Sequence, residues 1–191
     1  MPHPRRLLAF LAAAGFLIGC SQGPAPPDPK RVAAERERLM LAEEPADALS
    51  PLDYRETLEE GDGETASQVV LVGKVGGIPN PWGKLEPDFP WRENQAAFFL
   101  VDPATAMEFD EHDAGDPDHL ADCPFCAREA ANQASAVAAV NFSDAQGKQI
   151  AIGARELLGL KAGDTVVVRG EAQLLAGDLL VVEANGLFIR E

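Results

Sequence analysis

The sequence predicts a mainly β protein: a five-stranded Greek-key barrel with a short helix between strands three and four, long loops and a disordered N-terminal tether. Three observations carry this prediction. From residue 67 onward, short runs rich in Val, Leu and Phe recur between Gly, Pro and Asp turn residues. A stretch with helical composition, ARELLGL at 154–160, falls between the third and fourth runs. The last two runs are separated only by Ala176-Gly177-Asp178, which is a hairpin turn.

Taken in order, residues 68–76 (QVVLVGKVG) form the first strand and end in glycines. Residues 77–94 form a loop with four prolines and two tryptophans, Trp82 and Trp91. Residues 96–102 (AAFFLVD) form the second strand, whose unbroken apolar run requires burial on both faces. Residues 103–135 form a second long loop, and 136–143 (AVAAVNFS) the third strand. A turn at 144–148 leads into 149–152, expected to continue a hairpin. Residues 154–160 make the short helix, which Gly159 ends. Residues 165–173 and 179–189 are the fourth and fifth strands.

An order of three strands, a helix and a two-strand hairpin is that of the OB-fold, a five-stranded Greek-key barrel. The run LLGLKAGDTVVVRGEAQLLAGDLLVVEA resembles the second half of many OB domains. The resemblance implies a fold and no single activity. A small β-sandwich is the rival architecture, but it has no need of a helix at that point.

Ahead of the barrel the chain reads differently. Arg5 and Arg6, an apolar run over 7–18 and small residues before Cys20 have the form of an export signal. The run is shorter than the roughly 20 apolar residues of a membrane-spanning helix. Leu17-Ile18-Gly19-Cys20 resembles the lipobox of bacterial lipoproteins. That resemblance implies cleavage after Gly19, lipid on Cys20 and attachment to a membrane, and Ser21 in the next position favours the outer membrane, facing the periplasm. The expected divisions are a signal peptide at 1–19, a lipidated tether and acidic linker at 20–66, and the barrel at 67–191. Within the tether, Pro-rich residues 21–30 act as a spacer. Residues 31–44 hold a short helix or a solvated arm, and 45–66 read as linker because Pro, Gly and acids leave no sustained period.

The formal charge is −15, and loss of residues 1–19 removes two arginines and no carboxylate, taking it to −17. Such a field repels a phosphate backbone, so nucleic acid is excluded as a partner.

Chemistry-bearing residues concentrate in the loop at 103–135. There EHDAGDPDHLADCPFC spaces His112, His119, Cys123 and Cys126 as H-x6-H-x3-C-x2-C. Imidazole and thiolate are the ligands of borderline and soft metals, and four of them within sixteen residues suffice for a tetrahedral zinc site, with copper(I) the softer alternative. Seven carboxylates between Glu108 and Asp122 raise the local cation concentration, and one of them is a candidate to replace a histidine. Pro124 suits the first position of a helix that continues through CAREAANQ, which puts Cys123 and Cys126 at the helix start and lowers their thiol pKa.

Three readings stay open: a metal site, a thiol redox couple, and a structural staple. CPFC resembles the active-site motif of glutaredoxins, which implies thiol-disulfide exchange by Cys123 and Cys126. The motif does not follow a buried strand as it does in that family. Trp82 and Trp91 either overhang the β2–β3 face, where OB-folds bind oligomers, or plug a barrel end. No nucleophile elbow, phosphate loop or H-E-x-x-H is present, so a binding or structural role is expected ahead of catalysis. As a whole the chain resembles uncharacterised exported lipoproteins of planctomycete-type bacteria that pair an OB-like barrel with a His-rich CPFC loop. The expectation is a membrane-anchored, zinc-binding OB-like lipoprotein. Its alternatives are a thiol-disulfide oxidoreductase and an adaptor that binds protein, glycan or another small ligand on the barrel face.

Overall fold

The computed structural model describes residues 26–59, 66–110, 124–175 and 178–190. Five strands, β1 Ser67–Val75, β2 Ala97–Val101, β3 Val137–Phe142, β4 Thr165–Leu175 and β5 Leu179–Ile189, close into a barrel in the order β1-β2-β3-β5-β4. β3 and β5 pair in parallel and the other neighbours are antiparallel. This is the OB-fold-like barrel that the strand order predicts. The helices are α1 Pro29–Leu39, α2 Pro51–Glu59, α3 Pro103–Asp110, α4 Pro124–Asn132 and α5 Ala154–Leu158.

Side chains alternate across each strand, and here both faces are covered. Phe98, Leu100, Ala138, Val140, Phe142, Leu180 and Val182 fill the barrel. Phe99, Val101, Val137, Ala139 and Val181 point the other way into a second, outer cluster with Ile78, Ala106 and Phe109. Double burial explains the unbroken apolar run of β2, whose five residues are all buried. β1 bends sharply to pair with β4 along most of its length and with β2 at its end. Gly73 allows the bend, since a Cβ there would lie 2.6 Å from the Val101 carbonyl oxygen.

One barrel end is closed by α5 and its flanks, with Ile150, Ile152, Leu157, Leu158 and Leu160 buried. Gly159 ends α5 in the left-handed region at φ 77°. Residues 149–152 were expected to extend a hairpin, but only Ser143 and Gln149 form a bridge there. The reason is local: Asp144 Oδ1 accepts from the Gln146 and Lys148 amides, which tightens the turn. Ile150 then turns inward between the Phe142 carbonyl and the Ala96 amide.

The largest departure from the sequence expectation lies before Ser67. Residues 45–66, read as linker, contain α2, and of the two readings of 31–44, a short helix or a solvated arm, the helix is the one that forms, as α1. α1 starts on the Asp28 cap and packs on α5. Arg36 donates to the carbonyls of Leu157 (2.7 Å) and Glu156 (2.9 Å), Arg38 donates to the Ser143 carbonyl, and Leu39 is fully buried. The chain then runs along β5, where the Leu41 amide donates to the Leu187 carbonyl, and reaches β1, where Leu49 bonds Val70 and Val72. α2 opens with a reciprocal cap: the Asp53 amide donates to Ser50 Oγ and the Ser50 amide to Asp53 Oδ2. Its Tyr54 is buried and bonds Ser67 Oγ at 2.6 Å. The folded unit therefore includes α1 and α2. Burial of Leu39 and Tyr54 is worth roughly 1.5–3 kcal/mol each, enough to hold a segment whose composition alone reads as tether.

Candidate functional site

The two long connections leave the barrel at different places. The first, between β1 and β2, crosses the outside of β2. Its Trp82 ring lies 4.8 Å from Phe99 and 6.1 Å from Phe89, and Phe89 lies 5.4 Å from Phe99. Arg92 covers the same Phe99 ring at 5.2 Å and pairs with Glu86 at 2.6 Å. Asn80 pins the loop by donating to the Gly83 and Glu86 carbonyls and accepting from the Trp82 amide. The face of β2 and β3 on which OB barrels hold oligomers is thus filled by the chain's own Ile78, Trp82 and Phe89, with Ala106 and Phe109 from α3.

Trp91 takes the opposite side. It bridges to Phe98, with rings 6.5 Å apart, and packs on the barrel core while Arg155 sits 5.5 Å over its ring. The two tryptophans, read from sequence as a pair that either overhangs the β2–β3 face or plugs a barrel end, lie on opposite faces of β2, and both are half-buried. Beside Trp91, the loop and α5 enclose a polar cleft of about 450 Å³ that also exposes Asp88, Arg92, Glu93 and Arg155. Nothing in the sequence singles out Arg92 or Arg155, because neither belongs to a motif.

The second connection begins with α3. Buried Asp102 caps it, its Oδ1 accepting from the Ala104 and Thr105 amides at 3.0 Å. Ala106 and Phe109 anchor α3 in the outer cluster, and Met107 faces solvent. The chain rejoins the barrel through α4, which packs at its end on a 3-10 turn at Ala134–Ala136 leading into β3. Thus the described part of the connection at 103–135 contains α3, which was expected to be loop, and α4, which starts at Pro124 as its ring geometry favours. Cys126 lies in the first turn of α4. His112, His119 and Cys123 lie outside the described residues, as does Cys20. Among the described residues no three His, Cys, Asp or Glu side chains converge on a metal-sized site. Phe125, next to Cys126, is 73% exposed, with Arg128 at 5.7 Å from its ring.

Among the described residues a guanidinium is buried as well as the Asp102 carboxylate. Arg55 of α2 is 8% exposed, donates from Nη2 to the Asp178 carbonyl at 2.9 Å and lies 3.4 Å from the Asp178 carboxylate. Burial lowers the guanidinium pKa from its ordinary value, and Asp178 acts in the opposite sense. The contact locks α2 onto the β4–β5 hairpin.

Fold and site together define an OB-like barrel whose usual ligand face is occupied from within. Compared with protein-family models and with curated proteins, the chain matches none.

Proposed function

We propose that this chain is an exported, lipid-anchored binding or structural module whose barrel carries a zinc site between α3 and α4. The ligands in this reading are His112, His119, Cys123 and Cys126, with copper(I) as the softer substitute, and the anchor is Cys20. One observation carries it. The chain on either side of residues 111–123 is held to the barrel, by Phe109 in the outer cluster on one side and by α4 and the 3-10 turn on the other. Yet Leu120 is the one large apolar residue between them. A segment with so little to bury needs another source of order if it is to hold one conformation, and a closed four-ligand metal site would supply that folding energy directly. The filled β2–β3 face supports the same reading, because it removes the surface on which an adaptor of this fold would hold a chain of sugars or bases.

The position of Cys126 in the first turn of α4 favours a second reading, thiol-disulfide exchange with Cys123. Free amides and the helix dipole at that end stabilise a thiolate.

Metal content and free thiols, measured together on the chain without residues 1–19 and without a histidine tag, separate the two. The expected result is about one zinc per chain, lost in Cys123→Ala and in His119→Ala. A metal-free chain whose Cys123–Cys126 disulfide reduces reversibly would overturn the metal reading and establish the redox one.

A further inference from the structure

We propose that α1 is the surface this barrel turns toward anionic lipid headgroups; the inference rests on the lipid-anchor reading above. Three observations lead to it. The first is length. If the folded unit began at Ser67, residues 21–66 would separate anchor from barrel. Because α1 begins at Pro29 on the Asp28 cap, only residues 21–28 remain. Eight residues, even if fully extended at roughly 3.1 Å each, span at most about 25 Å. That reach brings α1 to the bilayer surface and keeps the barrel from leaving it.

The second is rigidity. Arg36 and Arg38 bond α1 to the Glu156, Leu157 and Ser143 carbonyls, and Leu39 is buried, so a constraint on α1 is a constraint on the whole barrel. The third is charge. α1 contains Lys30, Arg31, Arg36 and Arg38 against Glu35 and Glu37, a formal +2 in a chain of −15. Lys30 and Arg31 stand at its anchor-proximal end, exposed, and neither side chain has an ion pair among the described residues. An anionic surface attracts these cations within a Debye length of about 8–10 Å and repels the acidic remainder. Tether, joint and charge asymmetry act in one direction: α1 inward, acidic barrel outward.

The test uses the full chain, expressed with its signal, with Cys20 lipidation read by mass spectrometry. The protein is reconstituted into vesicles of phosphatidylethanolamine with phosphatidylglycerol, or of phosphatidylcholine alone, each doped with a lipid bearing a headgroup photo-cross-linker. Cross-linked peptides are then mapped. The expected result is that cross-links gather within residues 26–40 on the anionic vesicles. They should fall severalfold in the double variant Lys30→Glu/Arg31→Glu, and also on phosphatidylcholine and in about 1 M salt. A lipidated chain whose cross-links spread evenly, gather at exposed Leu85 or Phe125, or ignore the charge reversal would overturn the orientation and leave the anchor standing. An unmodified Cys20 and a chain that fails to float with vesicles would overturn both.

Discussion

The two long connections of the barrel face the same problem and meet it differently. The β1–β2 connection brings its own apolar material: Ile78, Trp82 and Phe89 join Phe99 in a cluster that makes the loop part of the core. The β2–β3 connection brings apolar material only at its start, with Ala106 and Phe109, and then gives thirteen residues, 111–123, in which acids, histidines and a cysteine outnumber anything that can be buried. Hydrophobic burial fixes the first loop. On the zinc reading proposed above, the second would be fixed by ligation instead, and would then depend on a few ligand atoms where the first is costly to alter anywhere.

The comparison breaks most readily at Phe99, which is 1% exposed and shared by three aromatic contacts. Phe99→Ala should lower the urea-unfolding free energy by about 3–5 kcal/mol; a loss under about 1 kcal/mol would show that the outer cluster does not hold the first loop. Next is a matched pair of aromatic truncations. Trp82→Ala removes a half-buried ring from the cluster and should cost about 1–3 kcal/mol, whereas Phe125→Ala removes an exposed one and should stay within about 0.5 kcal/mol. Equal losses would erase the distinction between the loops. Chelation sharpens it from the other side. Stripping metal should speed amide exchange in α4 by roughly tenfold or more and leave the β1–β2 loop unchanged. A global fall in protection would mean that the metal holds the barrel as well.

The smallest effect lies outside both loops. Arg190 donates to Glu44 and lowers the Glu44 carboxyl pKa from its ordinary value, while Glu44 raises that of Arg190. A carboxyl depressed on folding adds stability above its unfolded pKa and loses it as pH falls through the folded value. Acidification below about pH 4.5 should therefore weaken this exposed pair slightly, and Glu44→Gln should flatten that part of the stability–pH curve, as a pH series of unfolding midpoints would register.

Much of the barrel was legible in the sequence, because period-2 burial and turn chemistry are local signals. The β4–β5 hairpin, the α5 stop at Gly159 and the double-faced β2 all follow from residues close to one another in the chain. A short helix within 31–44 was one of the sequence readings, but its docking and α2 were not legible. The β5 strand and α5 against which α1 packs come more than a hundred residues after Leu39, and Tyr54 stands among charged residues whose composition reads as linker. The Ser50-Pro51-x-Asp53 signature of a helix start was there to be read, but the surrounding linker composition masked it. α3 was hidden for a similar reason: Asp102-Pro103 is a cap and first helical residue, yet its eight-residue helix shows little amphipathic contrast. At the candidate site, sequence located Cys126 at a helix start. The division of Trp82 and Trp91 between opposite faces of β2 depends on which neighbour, Phe98 or Phe99, each ring meets, and spacing does not encode that.

On the proposed lipid anchor, the docking of α1 also decides what a protease would shed. The described residues from Pro29 onward are bonded into one fold. A cut between Cys20 and Pro29 would therefore free the barrel with both N-terminal helices attached. The same protein would then exist in two pools, one fixed to its membrane and one diffusing.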